Sequence, residues 1–591
     1  MASPARLSLI SLCLSATLTA QMPMPAHCPM PMAPQVPAKD LPAPIPMTGI
    51  GNGHITITAT PEAQRWFDQG LNLLHDFWDY ESARAFQQSI RVDPNCAMCW
   101  WGLAQAIGFR GIEPNAQEIS ADLDQAKKLS KHTTKAEQLY IKAAIEENKE
   151  REKPNKKSSS SHDDVQPTTH KDAPSTKTWR KLAALDPQEI QPRIFLAGSV
   201  QDGFFHGDPN PGTRESMTIL QQLIKEHPDD SASLHYWIHV IEPGHHPELA
   251  RDAAERLGTL VPSSGHMVHM PGHIFYLLGD YDRAQASFAA STRVDEAYMQ
   301  AQHVSPDDDW NYVHNLMYAI ANLVEAGHFA AADQLAQRTI AAHGTRPETL
   351  YVSSPRDGMA RLHPSLPSAL RSGNWAKTKA LLEKSSAPAI LANLQHLRQG
   401  LLFYADGMLA LDNGNTADAG RFSTQLAALI TSLETKATST EPHDPRDLWK
   451  GSAKNFLNVA SVELTASVEE AEGKTADADR DFAKALTLEE KLGYREPPSY
   501  LRPVAEAQAD ALFRAHRYAE ARAAYEAAQK KRPNSGFSLY GIARCEEAIH
   551  DAGTSAAYQN FLDAWHSADG DLPQIQHAQR WLMQHAPANG L

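Results

Sequence analysis

The sequence predicts an all-α fold, a right-handed superhelix of stacked helix hairpins. Two observations predict it. Apolar residues follow the helical period from near Pro61 to the C-terminus, with almost no strand signal. A short pattern also recurs at an offset of 34 residues. His235 and His239, in LHYWIHVIE (234–242), return as His269 and His273, in GHMVHMPGHIF (265–275). At 591 residues the chain exceeds one compact core but suits a repeat array.

Thirty-four residues is the period of the tetratricopeptide repeat (TPR), so the predicted architecture is a tetratricopeptide-repeat α-solenoid. Individual copies are placed by their small, aromatic and proline positions. The clearest is HRYAEARAAYEAAQKKRP (516–533), where Ala521, Ala528 and Tyr525 suit the second helix of a hairpin and Pro533 ends it. GDYDRAQASFAASTRVD (279–295) repeats this with Tyr281, Ala284 and Phe288. DYESARAFQQSIRVDP (79–94) does so with Phe86 and Pro94. PELARDAAERLGTLVP (247–262) and GHFAAADQLAQRTIAA (327–342) are further copies, and helix pairs are expected at 390–432 and 452–492.

The expected order along the chain is a signal peptide at 1–20, a Met/Pro-rich flexible arm at 21–58 and N-terminal repeats at 59–148. Central repeats with a histidine-rich groove follow at 178–345, then C-terminal repeats at 346–591. Residues 149–177 break the pattern. They are polar, charged and nearly free of large apolar side chains, which predicts a disordered insertion. In the first segment an Arg precedes an apolar run from Leu7 to Leu18, ending in small residues at Ala20. This predicts export to the periplasm or beyond, with no membrane insertion of the mature chain. The net charge of −15 argues against nucleic acid and against an anionic membrane surface.

The histidines carry the chemical signal. His235, His239 and Glu242 sit at spacings of four and three, and His266, His269 and His273 at three and four. Such spacings put side chains on one helical face. The repeat frame places both sets on the groove-facing side of first helices, and His314 of WNYVHNLMY (310–318) falls beside His266. Helices pack ~8–10 Å apart, so imidazoles from adjacent helices can converge. Neutral imidazole is the commonest metal ligand and a carboxylate at Glu242 is compatible. The expected metal set is therefore His235, His239, Glu242, His266, His269, His273 and His314, around a common centre. Pro271 inside the proposed helix either aims His269 and His273 or disturbs the count. Tyr276, Tyr312 and Asp307 to Asp309 are candidates to support such a site.

Two further motifs offer soft ligands. Cys96 and Cys99, in CAMC, open a helix, and their spacing suits a disulfide or half of a metal site. Met22, Met24, His27, Cys28, Met30 and Met32, in QMPMPAHCPMPM (21–32), place thioethers, a thiol and an imidazole where they suit Cu(I). Together with the histidines this favours copper as cofactor over zinc or iron.

These residues resemble a family of exported bacterial tetratricopeptide proteins. The resemblance rests on Asp93 to Gly102, His235 to Glu242, His266 to Ile274 and Tyr312 to Asn315, with EPPSYLRPV (496–504) and NSGFSLYGIA (534–543) near the C-terminus. It covers most of 59–545, departing at 149–177 and in the Met/Pro arm. It implies the helical repeat fold and brings no reaction. The expected function is a metal-binding groove; a copper- or iron-dependent oxidative enzyme requires that the ligands leave a coordination position open. The alternative is a non-catalytic scaffold holding a peptide or protein partner in the groove.

Overall fold

Helix follows helix, each packed on the next, in the computed structural model, which describes residues 36–109, 112–151, 171–342, 354–435 and 447–585. The architecture is the tetratricopeptide-type α-solenoid. The strand pair Phe204–Phe205 and Asp208–Pro209 is a two-residue antiparallel ribbon in a connection between helices. Among the described residues no helix is long and apolar enough to cross a membrane.

Three hairpins carry the central histidines. Ser231–Ile241 precedes Arg251–Leu260, Gly265–Leu277 pairs with Tyr281–Gln302, and Trp310–Glu325 pairs with Phe329–Ala336. Side-chain caps start several of these helices. Asp230 accepts from Ser233 N at 2.7 Å, Ser264 from Met267 N at 3.1 Å, and Asp280 from Arg283 N at 3.3 Å. Close approach between helices depends on glycine facing an aromatic ring. A Cβ on Gly272 would lie 2.4 Å from the Phe288 ring, one on Gly102 2.2 Å from Phe86, and one on Gly541 2.4 Å from Tyr525. The helix Gly265–Leu277 runs through Pro271 without a break, so His266, His269 and His273 stay on one continuous helix.

Two expectations are corrected. The arm read as flexible across 21–58 is an ordered strap over its described part, 36–58. Apart from the 3₁₀ turn Ala38–Asp40 it has no helix, so its backbone polar groups need other partners. Side chains of the first two helices supply them: Gln69 Oε1 accepts from Met47 N at 2.9 Å, and Asn72 Nδ2 donates to Gly53 O at 2.9 Å. Arg84 and Arg91 donate to Ala43 O and Leu41 O at 2.7 and 2.9 Å. Its own Ala38, Leu41, Ile50, Ile55 and Ile57 are buried. Likewise, the stretch 149–177 is helical at both ends. Residues 149–151 close the helix Lys135–Arg151, and 174–177 open Pro174–Ala183, where Ser175 donates to Glu150 at 2.7 Å. The segment between, 152–170, lies outside the described residues, as does 1–35 with the proposed signal peptide and soft-metal arm.

The C-terminal repeats return to the central ones. Arg371 lies at the join. It donates to Glu325 through Nε at 2.6 Å and Nη2 at 2.8 Å, and to Glu506 through Nη1 at 2.7 Å. Ser535 and Ser538 donate to the same two carboxylates at 2.9 and 2.7 Å. Trp565 Nε1 donates to Glu325 O at 2.8 Å, and Tyr281 OH to Pro533 O at 2.8 Å. Burial raises the Glu325 carboxyl, yet Arg371 holds it below its ordinary range on balance. Replacing Arg371 by Ala removes the guanidinium that pairs two buried carboxylates and leaves Glu325 only the Arg532 Nε at 3.9 Å. The expected loss is ~3–5 kcal/mol of stability in denaturant unfolding; a loss under ~1 kcal/mol would show that the join does not depend on this pair.

Candidate metal centre

All six repeat-borne histidines come together, five of them buried and His239 partly exposed, with its side chain 6% exposed. His235, His269 and His273 are 0% exposed, His314 2% and His266 4%. The expected histidine-lined groove is largely filled by the chain itself at this point. The turn after the helix Pro61–His75 enters from one side and the segment Tyr494 to Pro498 from the other.

The imidazoles also divide, where one common centre was expected. His235, His239 and His266 offer ring nitrogens within 4.8 Å of one another, and His269, His273 and His314 form a second such triad. Ring centroids in the first triad are 4.6, 4.9 and 5.8 Å apart, and in the second 4.5, 4.8 and 5.7 Å. The triads adjoin, with His266 and His269 6.1 Å apart.

The outer nitrogens of five rings have identifiable partners. His235 Nδ1 donates to His75 O at 2.7 Å, and His266 Nδ1 to Asp76 O at 2.7 Å. A carbonyl only accepts, so both Nδ1 atoms carry hydrogen. His269 Nδ1 faces Asn315 Oδ1 at 2.8 Å. The Asn315 amide is fixed the same way, since its Nδ2 donates to Phe288 O and Thr292 Oγ1 at 2.9 and 2.8 Å. His239 Nδ1 lies 2.7 Å from Glu242 Oε1, and His273 Nδ1 2.8 Å from Glu242 Oε2. One carboxylate thus anchors one ring of each triad.

The inner nitrogens are then forced together. His239 Nε2 is 3.0 Å from His235 Nε2, and His273 Nε2 is 2.6 Å from His269 Nε2. With Glu242 ionised, every one of these four Nε2 atoms presents a bare lone pair. A protonated Glu242 can donate to one ring only, which would relieve one contact and leave the other. A second proton on a ring is opposed by the surroundings. Burial, then the neighbouring imidazoles, push His235, His266, His269 and His273 well below the usual range. Burial takes His239 down to about 4 and His314 to about 3. The rings are neutral, and five of them have their outer nitrogens tied down, the arrangement that orients and strengthens an imidazole where it ligates a metal.

Two acids and several aromatic rings complete the site. Glu496, from between the C-terminal helices, joins His239 and Glu242 in a third set of convergent ligand atoms, and its Oε2 lies 3.9 Å from both His273 Nδ1 and His314 Nε2. Burial pushes Glu242 up to about 8, against the hydrogen bonds it receives from Glu496 and Tyr494. Burial and the adjacent Glu242 push Glu496 well up as well. Arg356 holds this segment, donating to Pro498 O at 3.1 Å. Phe77 closes the first triad, its ring 4.8 Å from His235 and 5.2 Å from His239. Its backbone is left-handed, with φ 60°, a costly conformation for a bulky residue. That turn delivers the carbonyls of His75 and Asp76 to the first triad. Tyr318 lies against the second triad, 4.4 Å from His273.

Other candidate residues lie elsewhere. Cys96 and Cys99 are joined in a buried disulfide, so neither thiolate is available to a metal. Tyr312 donates to Glu296 at 2.8 Å, and Tyr276 packs on Tyr318, one ring removed from the imidazoles. Asp309 is buried rather than solvated, and burial followed by Asp79 and Glu81 pushes it to about 7. Met22, Met24, His27, Cys28, Met30 and Met32 lie outside the described residues. Residues that spacing did not reveal are His75, Asp76, Phe77 and Glu496. Asn315 and Glu496 both fall inside segments that carry the family resemblance, but no periodicity relates Glu496 to Glu242.

No family model matches the chain, and no curated protein sequence matches it. Solved structures do. Yeast Tom70 is similar at 12% identity over 88% of this chain and 96% of its own, with a TM-score of 0.27. The human IFIT1 dimer with m7Gppp-AAAA is similar at 9% identity over 85% of this chain and 97% of its own, with a TM-score of 0.33. The same dimer with PPP-AAAA gives 12% identity, 88% and 97% coverage, and a TM-score of 0.31.

Asn315 is the residue whose replacement tests this geometry without metal. Asn315→Leu leaves the His269 Nδ1 hydrogen without an acceptor in the interior, while the Phe288 carbonyl keeps Thr292 Oγ1 as donor at 2.9 Å. The metal-stripped variant should lose ~1–3 kcal/mol in denaturant unfolding; an unchanged midpoint would mean that His269 is not anchored this way.

Proposed function

We propose that this chain is a tetratricopeptide-type solenoid protein that binds transition metal at its histidine triads, with copper ahead of zinc or iron. One observation carries the reading: of the two Nε2–Nε2 contacts, both meet lone pair to lone pair when Glu242 is ionised and one still does when it is protonated. Bare lone pairs at that distance repel, and a cation between them converts the repulsion into ligation. Metal–imidazole bonds of ~2.0–2.1 Å put tetrahedral ligand nitrogens ~3.3 Å apart, so the pairs now at 3.0 and 2.6 Å open by ~0.3 and ~0.7 Å to admit an ion.

The preference for copper rests on the ligand chemistry. Imidazole suits copper and zinc alike, while the thioether, thiol and imidazole groups of residues 22–32 favour Cu(I) and could supply the ion to the core. Three nitrogens per ion leave a coordination position for water or a further ligand, which is the ground for extending the reading to a metalloenzyme. The apolar run before Ala20 supports export to the periplasm or the cell exterior, an oxidising setting in keeping with the Cys96–Cys99 disulfide. Capture of a peptide or protein partner on other stretches of the concave surface is compatible with this role.

Elemental analysis of the untagged, purified full-length protein tests the reading. Stoichiometric copper is expected, and the double variant His239→Ala, His273→Ala, which removes a ligand from each triad, should carry almost none. A wild-type protein free of transition metal after copper-supplemented growth would sink the proposal. Zinc or iron in its place would retain the site and remove copper.

A further inference from the structure

We infer that the chain holds two metal ions, one in each imidazole triad, with Glu242 as the positioning residue they share. The inference rests on the metal-binding reading above and adds number, division of ligands and a coupling residue to it.

The division is geometric. Each triad has its own facing pair of Nε2 atoms, 3.0 Å apart in one and 2.6 Å in the other, and its own third ring. Each pair comes from one helix at i and i+4, His235 with His239 and His269 with His273. The third ring comes from the next first helix along the solenoid: His266 serves the first pair and His314 the second. The same two-helix unit is thus used twice, one repeat apart. A single ion between the triads would have to draw all these nitrogens away from partners that already fit. It would also leave the Nε2 contact inside each pair unresolved, because each contact lies within a triad.

Glu242 connects the two units. Oε1 lies 2.7 Å from His239 Nδ1 of the first triad and Oε2 2.8 Å from His273 Nδ1 of the second, and the ionised carboxylate accepts from both. Both rings must keep hydrogen on Nδ1 to present a lone pair at Nε2, and only a group with two acceptor oxygens serves both at once. Glutamine has one acceptor and one donor. Its NH₂ would face one of the two Nδ1 atoms, drive that ring to the opposite tautomer and place hydrogen where an ion must bind. Loss of such an outer partner typically weakens metal binding 10–100-fold. Glu242→Gln should therefore damage one triad and spare the other, although the residue belongs to neither set of three imidazoles.

The test is a titration of the chelator-stripped full-length chain with Co²⁺ alone. Its visible bands report nitrogen ligation, and it is poorly matched to the thioethers of residues 22–32. Wild type should take up two equivalents, by bands and by elemental analysis after dialysis. His269→Ala, His273→Ala should take up one, as should His235→Ala, His239→Ala, each checked for wild-type circular dichroism. Glu242→Gln should retain one tight equivalent and bind the second 10–100-fold more weakly. One equivalent in wild type overturns the two-ion inference and leaves metal binding intact, whereas none overturns both. Should a histidine variant not fold, wild-type stoichiometry and Glu242→Gln decide the matter. Two equivalents of unchanged affinity in Glu242→Gln would remove its shared role.

Discussion

The two hydrogen bonds accepted by Glu242 are the constraint on which the interior depends. They lock one ring of each triad into the tautomer that points Nε2 inward, and they tie two helices that are one repeat apart. A carboxylate in an apolar interior is expensive unless its lone pairs are used. Here imidazole donors use them, with Glu496 and Tyr494 on the remaining sites. The consequence is an interior crowded with acceptors. Oxygen atoms hold the outer nitrogens, so the inner ones meet each other. That is an unfavourable arrangement for a protein alone and a favourable one around cations.

The solenoid makes this interior by closing on itself. An extended repeat array would expose the inner faces of its first helices along a groove. In this chain the turn at Phe77 covers one end of the histidine row, and the segment held by Arg356 covers the other. The Arg371 pair with Glu325 and Glu506 joins the repeats whose approach brings Glu496 into place. Remote residues thereby control whether the imidazoles are hydrated or buried, and burial is what keeps them neutral.

Much of the framework was legible in the sequence. The spacing of Phe86, Phe288 and Tyr525 marked the second helices, and those rings do fill the joints opposite Gly102, Gly272 and Gly541. The spacings of His235, His239, His266, His269 and His273 marked one face of two first helices, and the frame brought in His314 and Glu242. Lack of periodicity predicts a flexible arm at 21–58, yet periodicity reports only helix and strand. Residues 36–58 are ordered by donors and acceptors on other helices, which leave no pattern in the strap itself.

The sequence by itself determined the repeat, the helical face on which each histidine lies and the kind of ligand on offer. These follow from local periodicity, which depends on neighbours three, four and 34 residues away. Only the tertiary structure decided that the histidines divide into two triads, that the chain largely fills the groove there, and that Glu496 reaches the site from the far end of the chain. Those outcomes depend on which backbone carbonyls and side chains meet each imidazole across the superhelix, and no spacing along the chain encodes a contact between His235 and the carbonyl of His75, or between Glu242 and a residue 254 positions later.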